Sequence, residues 1–140
     1  MKLIKFSFLF LIVVLSFIPC NAQTSDKSNQ TDLKSGEVQV YYFHNTNRCV
    51  TCLAVEKETK LVLDAFYGDK MKEGVIDFIS LNIEEEDGRR VAQSLQVSGQ
   101  ALLLVKGDTH VNLINEGFMN ARTNPEKFHQ ILKTQIDKLL

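Results

Sequence analysis

The sequence predicts one α/β domain over residues 37–140, with a central mixed four-stranded sheet flanked by helices in the order β-α-β-α-β-β-α. Three observations carry that expectation. A nearly continuous apolar run, "VQVYYFH" at 38–44, reads as a strand covered on both faces. A helical segment separates it from a second such run, and a strand, crossover helix, strand order implies parallel pairing. Two further strands meet at a Gly-Asp turn, which adds an antiparallel hairpin.

Ahead of the domain, Lys2 and Lys5 precede an apolar run from Phe6 to Ile18 that ends at Pro19, the pattern of a secretory signal peptide. The run is shorter than the ~20 residues a membrane-spanning helix needs. Cys20, Asn21 and Ala22 supply a small-residue site, so residues 1–22 are expected to be cleaved and the protein exported, periplasmic or secreted. The competing reading makes Cys20 an acylated lipoprotein terminus, for which Phe17, Ile18 and Pro19 form a poor lipobox. Residues 23–36, "QTSDKSNQTDLKSG", are polar apart from Leu33 and read as a flexible leader.

After the first strand, Asn45, Thr46 and Asn47 are turn and cap formers. Val50, Ala54, Val55, Val62, Leu63 and Phe66 then recur at helical spacing as far as Gly68, the expected C-cap. Val75 to Ile83 is the second strand. A short helix follows with Val91, Ala92 and Leu95 inward, and Glu84, Glu85, Glu86 and Asp87 suit its N-terminus, where negative charge is favoured. "ALLLVKGDTHVNLINEG" reads as two strands turning near Gly107 and Asp108. The last helix is the clearest, with Asn124 as N-cap, Pro125 at the first helical position, and Phe128, Ile131, Leu132, Ile136, Leu139 and Leu140 spaced for one buried face.

The 140-residue chain has a formal charge of −1, and loss of Lys2 and Lys5 makes it more acidic, so no nucleic-acid partner is expected. No second long apolar run follows the signal, so no stable membrane insertion is expected after cleavage, and the protein should be a monomer. There is no nucleotide-binding glycine pattern, and no cofactor is expected.

Of three cysteines, Cys20 leaves with the signal peptide, which isolates Cys49 and Cys52 as a C-x-x-C pair at a strand-to-helix junction. Their loop is too short for a staple to stabilise much. Cys49 faces the unpaired N–H groups and positive dipole end of a helix, which favour thiolate and make it the expected nucleophile. Cys52, one turn further in, should be more buried and resolve a mixed disulfide. Arg48 is either a cation that favours the thiolate or a solvated surface residue. His44 either assists proton transfer or ends the strand with a hydrogen bond to backbone.

This element order, with C-x-x-C at the first junction, is similar to the thioredoxin fold from about Val38 to Leu140. "LNIEEE" resembles that family's Leu-Asn-x-Asp segment, and "LLLVKGD" resembles its hairpin strand. More narrowly, "YYFHNTNRCVTC", "VSGQALLLVK" and "NARTNPEKF" together resemble the ArsF family, small exported bacterial thioredoxin-like proteins associated with arsenic-resistance gene clusters and described as nitrophenyl-compound nitroreductase subunits. The resemblance implies a redox-active disulfide and a protein thiol or disulfide partner. It also exposes departures. The family's active-site cis-proline is replaced within "SGQALLL", where Gln100 or Ala101 stands, and a trans loop is expected because a non-proline cis bond costs ~2.5–4 kcal/mol. Val50-Thr51 replaces Gly-Pro, Arg48 replaces a common Trp, and Tyr41, Tyr42 and Phe43 occupy the stretch that often buries an acid behind the cysteines.

Three functions follow as expectations. The first is an exported thiol–disulfide oxidoreductase using Cys49 and Cys52. The second is a non-catalytic dithiol module in which Cys49 and Cys52, with His44 as a third ligand, capture a soft metal or trivalent arsenic, although a closed zinc site needs four ligands. The third is a redox accessory that hands electrons to a partner enzyme.

Overall fold

The strand that opens the domain is also its centre. The computed structural model describes residues 37–140, so the expected signal peptide at 1–22, the expected leader at 23–36 and the lipoprotein reading of Cys20 lie outside the described residues. Strand β1 (Val38–His44) leads into helix α1 (Val50–Lys72), then β2 (Ile76–Asn82), α2 (Glu86–Ser94), β3 (Ala101–Lys106), β4 (Thr109–Asn112), α3 (Ile114–Asn120) and α4 (Pro125–Leu139). The sheet order is β2-β1-β3-β4. β1 pairs with β2 in parallel and with β3 antiparallel, and β3 and β4 form the hairpin. This is the expected thioredoxin-like arrangement with one added helix.

Alternation along a central strand explains the apolar run in β1, because successive side chains enter opposite faces. Val38, Val40 and Tyr42 join Leu102 and Leu104 under α1 and α4, with Val55, Val62, Leu63, Phe128, Leu132 and Ile136. Tyr41 and Phe43 turn the other way and meet Leu103, Val105, Ala92 and Leu95. Both faces are covered, so polar residues have no place there except Gln39, which accepts the Tyr41 hydroxyl at 3.1 Å.

Gly68 does not end α1. The helix continues to Lys72, and the chain turns at Gly74, whose φ of +70° favours glycine. A glycine inside a helix costs about 1 kcal/mol, and tertiary packing outweighs that here. Tyr67, beside Gly68, is buried in the core and its hydroxyl donates to Asp137 of α4 at 2.6 Å. Val50, Phe66 and Leu140, expected on buried faces, are exposed. Thr59, Val62, Leu63 and Tyr67 fill the sheet-facing stripe, which leaves Phe66 outside it beneath the Lys133 ammonium.

The fourth strand is shorter than expected, and the text read as its second half is α3. Asn112 makes the switch, its side-chain oxygen accepting the Ile114 N–H at 3.0 Å. Gly117 lets this helix sit close on α1, since a Cβ there would lie 3.1 Å from both Val55 methyl groups. In α4, Asn124 caps as expected by accepting the Lys127 N–H, with Pro125 following it. No helix of the described residues is long and apolar enough to cross a membrane.

Candidate functional site

The central strand delivers the chain to the cysteines. From the end of β1, residues 45–48 form a short loop, and Cys49 caps α1 with extended backbone at φ −73° and ψ 162°. Its sulfur takes the role that a Ser or Asp oxygen has at other helix starts, accepting the Cys52 N–H at 3.2 Å, while its carbonyl accepts from Leu53. The two sulfurs are 2.6 Å apart and both cysteines are free.

The pair is unequal. Cys49 is exposed, whereas Cys52 is 3% exposed. The Cys49 thiol is lowered below its usual range, first by the hydrogen bond from the Cys52 thiol and then by the N–H groups of the first turn. Burial pushes the Cys52 thiol up, and its hydrogen bond to Cys49 adds to that. The outer sulfur is therefore the readier thiolate and the inner one the reluctant partner.

Both cysteines border a cleft of about 340 Å³, lined with them by Asn47, Thr51, Gln100 and Phe118. Of the two residues expected opposite the cysteines, Gln100 is the one that arrives, its Oε1 lying 3.5 Å from the Cys52 sulfur. Ala101 is buried at the start of β3, paired with Phe43, and serves the sheet. The peptide bonds of the described residues are all trans.

Arg48 is partly buried, its guanidinium paired with Glu56 and 5.5 Å from the Tyr42 ring centre. The groups that lower Cys49 do not include it. Glu56 also accepts from Lys60 at 2.9 Å. Although burial opposes ionisation, the hydrogen bonds and charges of Lys60 and Arg48 hold the Glu56 carboxyl down at about 2. Tyr42 is pushed up to about 12 by burial, against the pull of Arg48, and its hydroxyl donates to the Cys52 carbonyl at 2.8 Å.

His44 ends β1 with its Nδ1 hydrogen-bonded to the neighbouring Asn45 carbonyl at 3.0 Å, the strand-end role. It does not line the cysteine cleft. Among the described residues no group of three or more His, Cys, Asp and Glu side chains is placed to hold a metal ion, so His44 does not complete a ligand set with Cys49 and Cys52.

Sequence reasoning missed Phe118, because the first four residues of its helix, 114–117, were read as the end of a strand and Phe118 fell just past it. It also missed the Tyr42, Arg48, Glu56 and Lys60 cluster. The Arg48 to Glu56 spacing across a helix start left no local signal, whereas Glu56 and Lys60 at i and i+4 were readable as a pair.

No family model and no curated protein matches the chain. Among solved structures it is similar to one described as the structure of a malarial protein, 17% identical, with a TM-score of 0.39 over 53% of this chain and 74% of that one. A likeness this loose bears on neither fold nor function. The chain is defined by its own features: an α/β protein of thioredoxin-like arrangement with an unequal cysteine pair at the end of its central strand.

Proposed function

We propose that the protein is an exported thiol–disulfide exchange protein acting on a protein thiol or disulfide partner. The single observation that carries this reading is the inequality of Cys49 and Cys52 across 2.6 Å, one exposed with a lowered thiol, the other buried with a raised one. Oxidising a partner's dithiol and reducing its disulfide are the two directions of one chemistry.

In the reducing direction, the Cys49 thiolate attacks one sulfur of the partner's disulfide. A Cys49–partner S–S bond forms, the partner's own S–S bond breaks, and the departing sulfur takes up a proton. Cys52, deprotonated, then attacks the Cys49 sulfur. The mixed disulfide breaks, the partner's second sulfur leaves with the electron pair and a proton, and Cys49 and Cys52 are left oxidised by two electrons. No cofactor enters either step. A role as electron accessory to a partner enzyme, as the ArsF resemblance implies, uses the same cycle.

Equilibration of the mature protein with glutathione, followed by alkylation of free thiols, tests this. A reduction potential near about −270 mV fits a reductant and one near about −120 mV an oxidant. Exchange with small disulfides no faster than that of an unstructured dithiol peptide would remove the reading. The mass of the exported protein tests the signal peptide, with cleavage after Ala22 expected.

A further inference from the structure

Resolution of a mixed disulfide requires Cys52 to give up its proton while Cys49 is bonded to the partner. The surroundings make that step hard. The titratable groups facing Cys52 are Cys49 at its own helix start and the Tyr42 phenol from β1, with Arg48 and Glu56 behind the phenol. The phenol already donates to the Cys52 carbonyl, and the Glu56 carboxylate is committed to Arg48 and Lys60. Tyr41, Tyr42 and Phe43 leave no acid in the strand behind the sulfurs. Once Cys49 is covalently engaged, the side chain left in hydrogen-bond contact with the Cys52 sulfur among the described residues is Gln100, at 3.5 Å.

A carboxamide suits both states of a thiol, because it carries an acceptor oxygen and donor N–H groups on one terminal torsion. Gln100 has room to turn. Besides the cysteine cleft it borders a second one of about 450 Å³, shared with Ser98, Gly99, His110 and Asn112.

We propose that Gln100 is the positioning residue for Cys52, its amide oxygen accepting the Cys52 S–H once Cys49 is bonded to the partner and its N–H groups donating to the thiolate that resolves the mixed disulfide. The proposal rests on the exchange reading and names how its second half is assisted. As Cys52–S⁻ attacks Cys49, the electron pair of the broken mixed disulfide goes to the partner sulfur, which takes the proton Cys52 released.

The test is stopped-flow release of thiol from dithiobis-nitrobenzoate by the reduced mature protein. The first release is attack by Cys49 and scales with reagent concentration; the second is attack by Cys52 and does not. A hydrogen bond to a charged group is worth enough to change a rate about tenfold or more. Gln100→Leu should therefore slow the second release about tenfold, change the first by less than about twofold, and move the pH midpoint of the second phase upward. Gln100→Glu, which keeps the shape but replaces the N–H donors with a carboxylate that repels the thiolate, should slow the second release at least as much and again spare the first. Unchanged second phases in both variants, or first and second phases falling together, would overturn the assignment. If the wild-type protein itself shows no first phase faster than a dithiol peptide, the exchange reading falls and takes this proposal with it.

Discussion

The Tyr42 hydroxyl donates to the Cys52 carbonyl across 2.8 Å, joining the fully buried centre of the sheet to the first turn of α1. The bond holds the inner cysteine at a fixed height above the strand that leads to it. Removing a buried hydrogen bond of this kind costs about 0.5–1.5 kcal/mol. Tyr42→Phe should lower the unfolding free energy by that amount, read as a lower urea midpoint at unchanged slope, while leaving the fold intact by circular dichroism. An unchanged midpoint would mean that the apolar packing of the ring, and not its hydroxyl, sets the position of the turn.

The Cys49 thiol is lowered first by the Cys52 thiol and only then by backbone N–H groups. Cys52→Ala removes the leading cause. The pH midpoint for alkylation of Cys49 by iodoacetamide should rise toward that of an ordinary thiol, and the rate at pH 7 should fall several-fold. A midpoint that stays where it was would assign the acidity to the helix start alone.

Glu56 has its carboxyl depressed to about 2 from an ordinary 4.5. A depressed carboxylate contributes stability that is fully present above its unfolded value and is lost as pH falls through the folded one. The loss should therefore run from about pH 4.5 down to about 2. Because Glu56 is largely buried between Arg48 and Lys60, Glu56→Gln should cost about 1–3 kcal/mol at pH 7, and the difference from wild type should shrink across that window in urea titrations. A difference independent of pH would show that shape, not charge, holds Arg48 against Tyr42.

The strand and helix order was legible because β1 is central and buried on both faces, which writes a continuous apolar run, and because Asn124 and Pro125 announce α4 in local chemistry. What was not legible was decided by tertiary packing. Gly68 carries the signature of a helix end, yet Tyr67 and Met71 pack against the core and keep α1 going. α3 is seven residues with a glycine inside, too short to show a helical period, and its start is set by the Asn112 side chain. The cysteines, Gln100 and the strand-end His44 were readable by position. Arg48 was not, since its partner Glu56 is two helical turns away and its other contact, Tyr42, lies in a strand.

Two glycines make a final, contrasting test of packing beside the site. A Cβ on Gly88 in α2 would overlap the Asn82 carbonyl oxygen and lie 2.6 Å from its carbon, so it meets backbone that cannot rotate away. Asn82 ends β2 and donates to Thr46 in the loop that leads to the cysteines, so displacing it disturbs that loop. Gly88→Ala should cost about 1–3 kcal/mol, the range for overpacking. A Cβ on Gly117 instead meets the two Val55 methyl groups at 3.1 Å, which can yield. Gly117→Ala should cost less, and Val55→Ala should offset part of it, giving a favourable coupling in a double-mutant cycle by urea unfolding. Equal costs at the two positions, with no coupling to Val55, would mean that α2 slides along β2 as freely as α3 adjusts on α1.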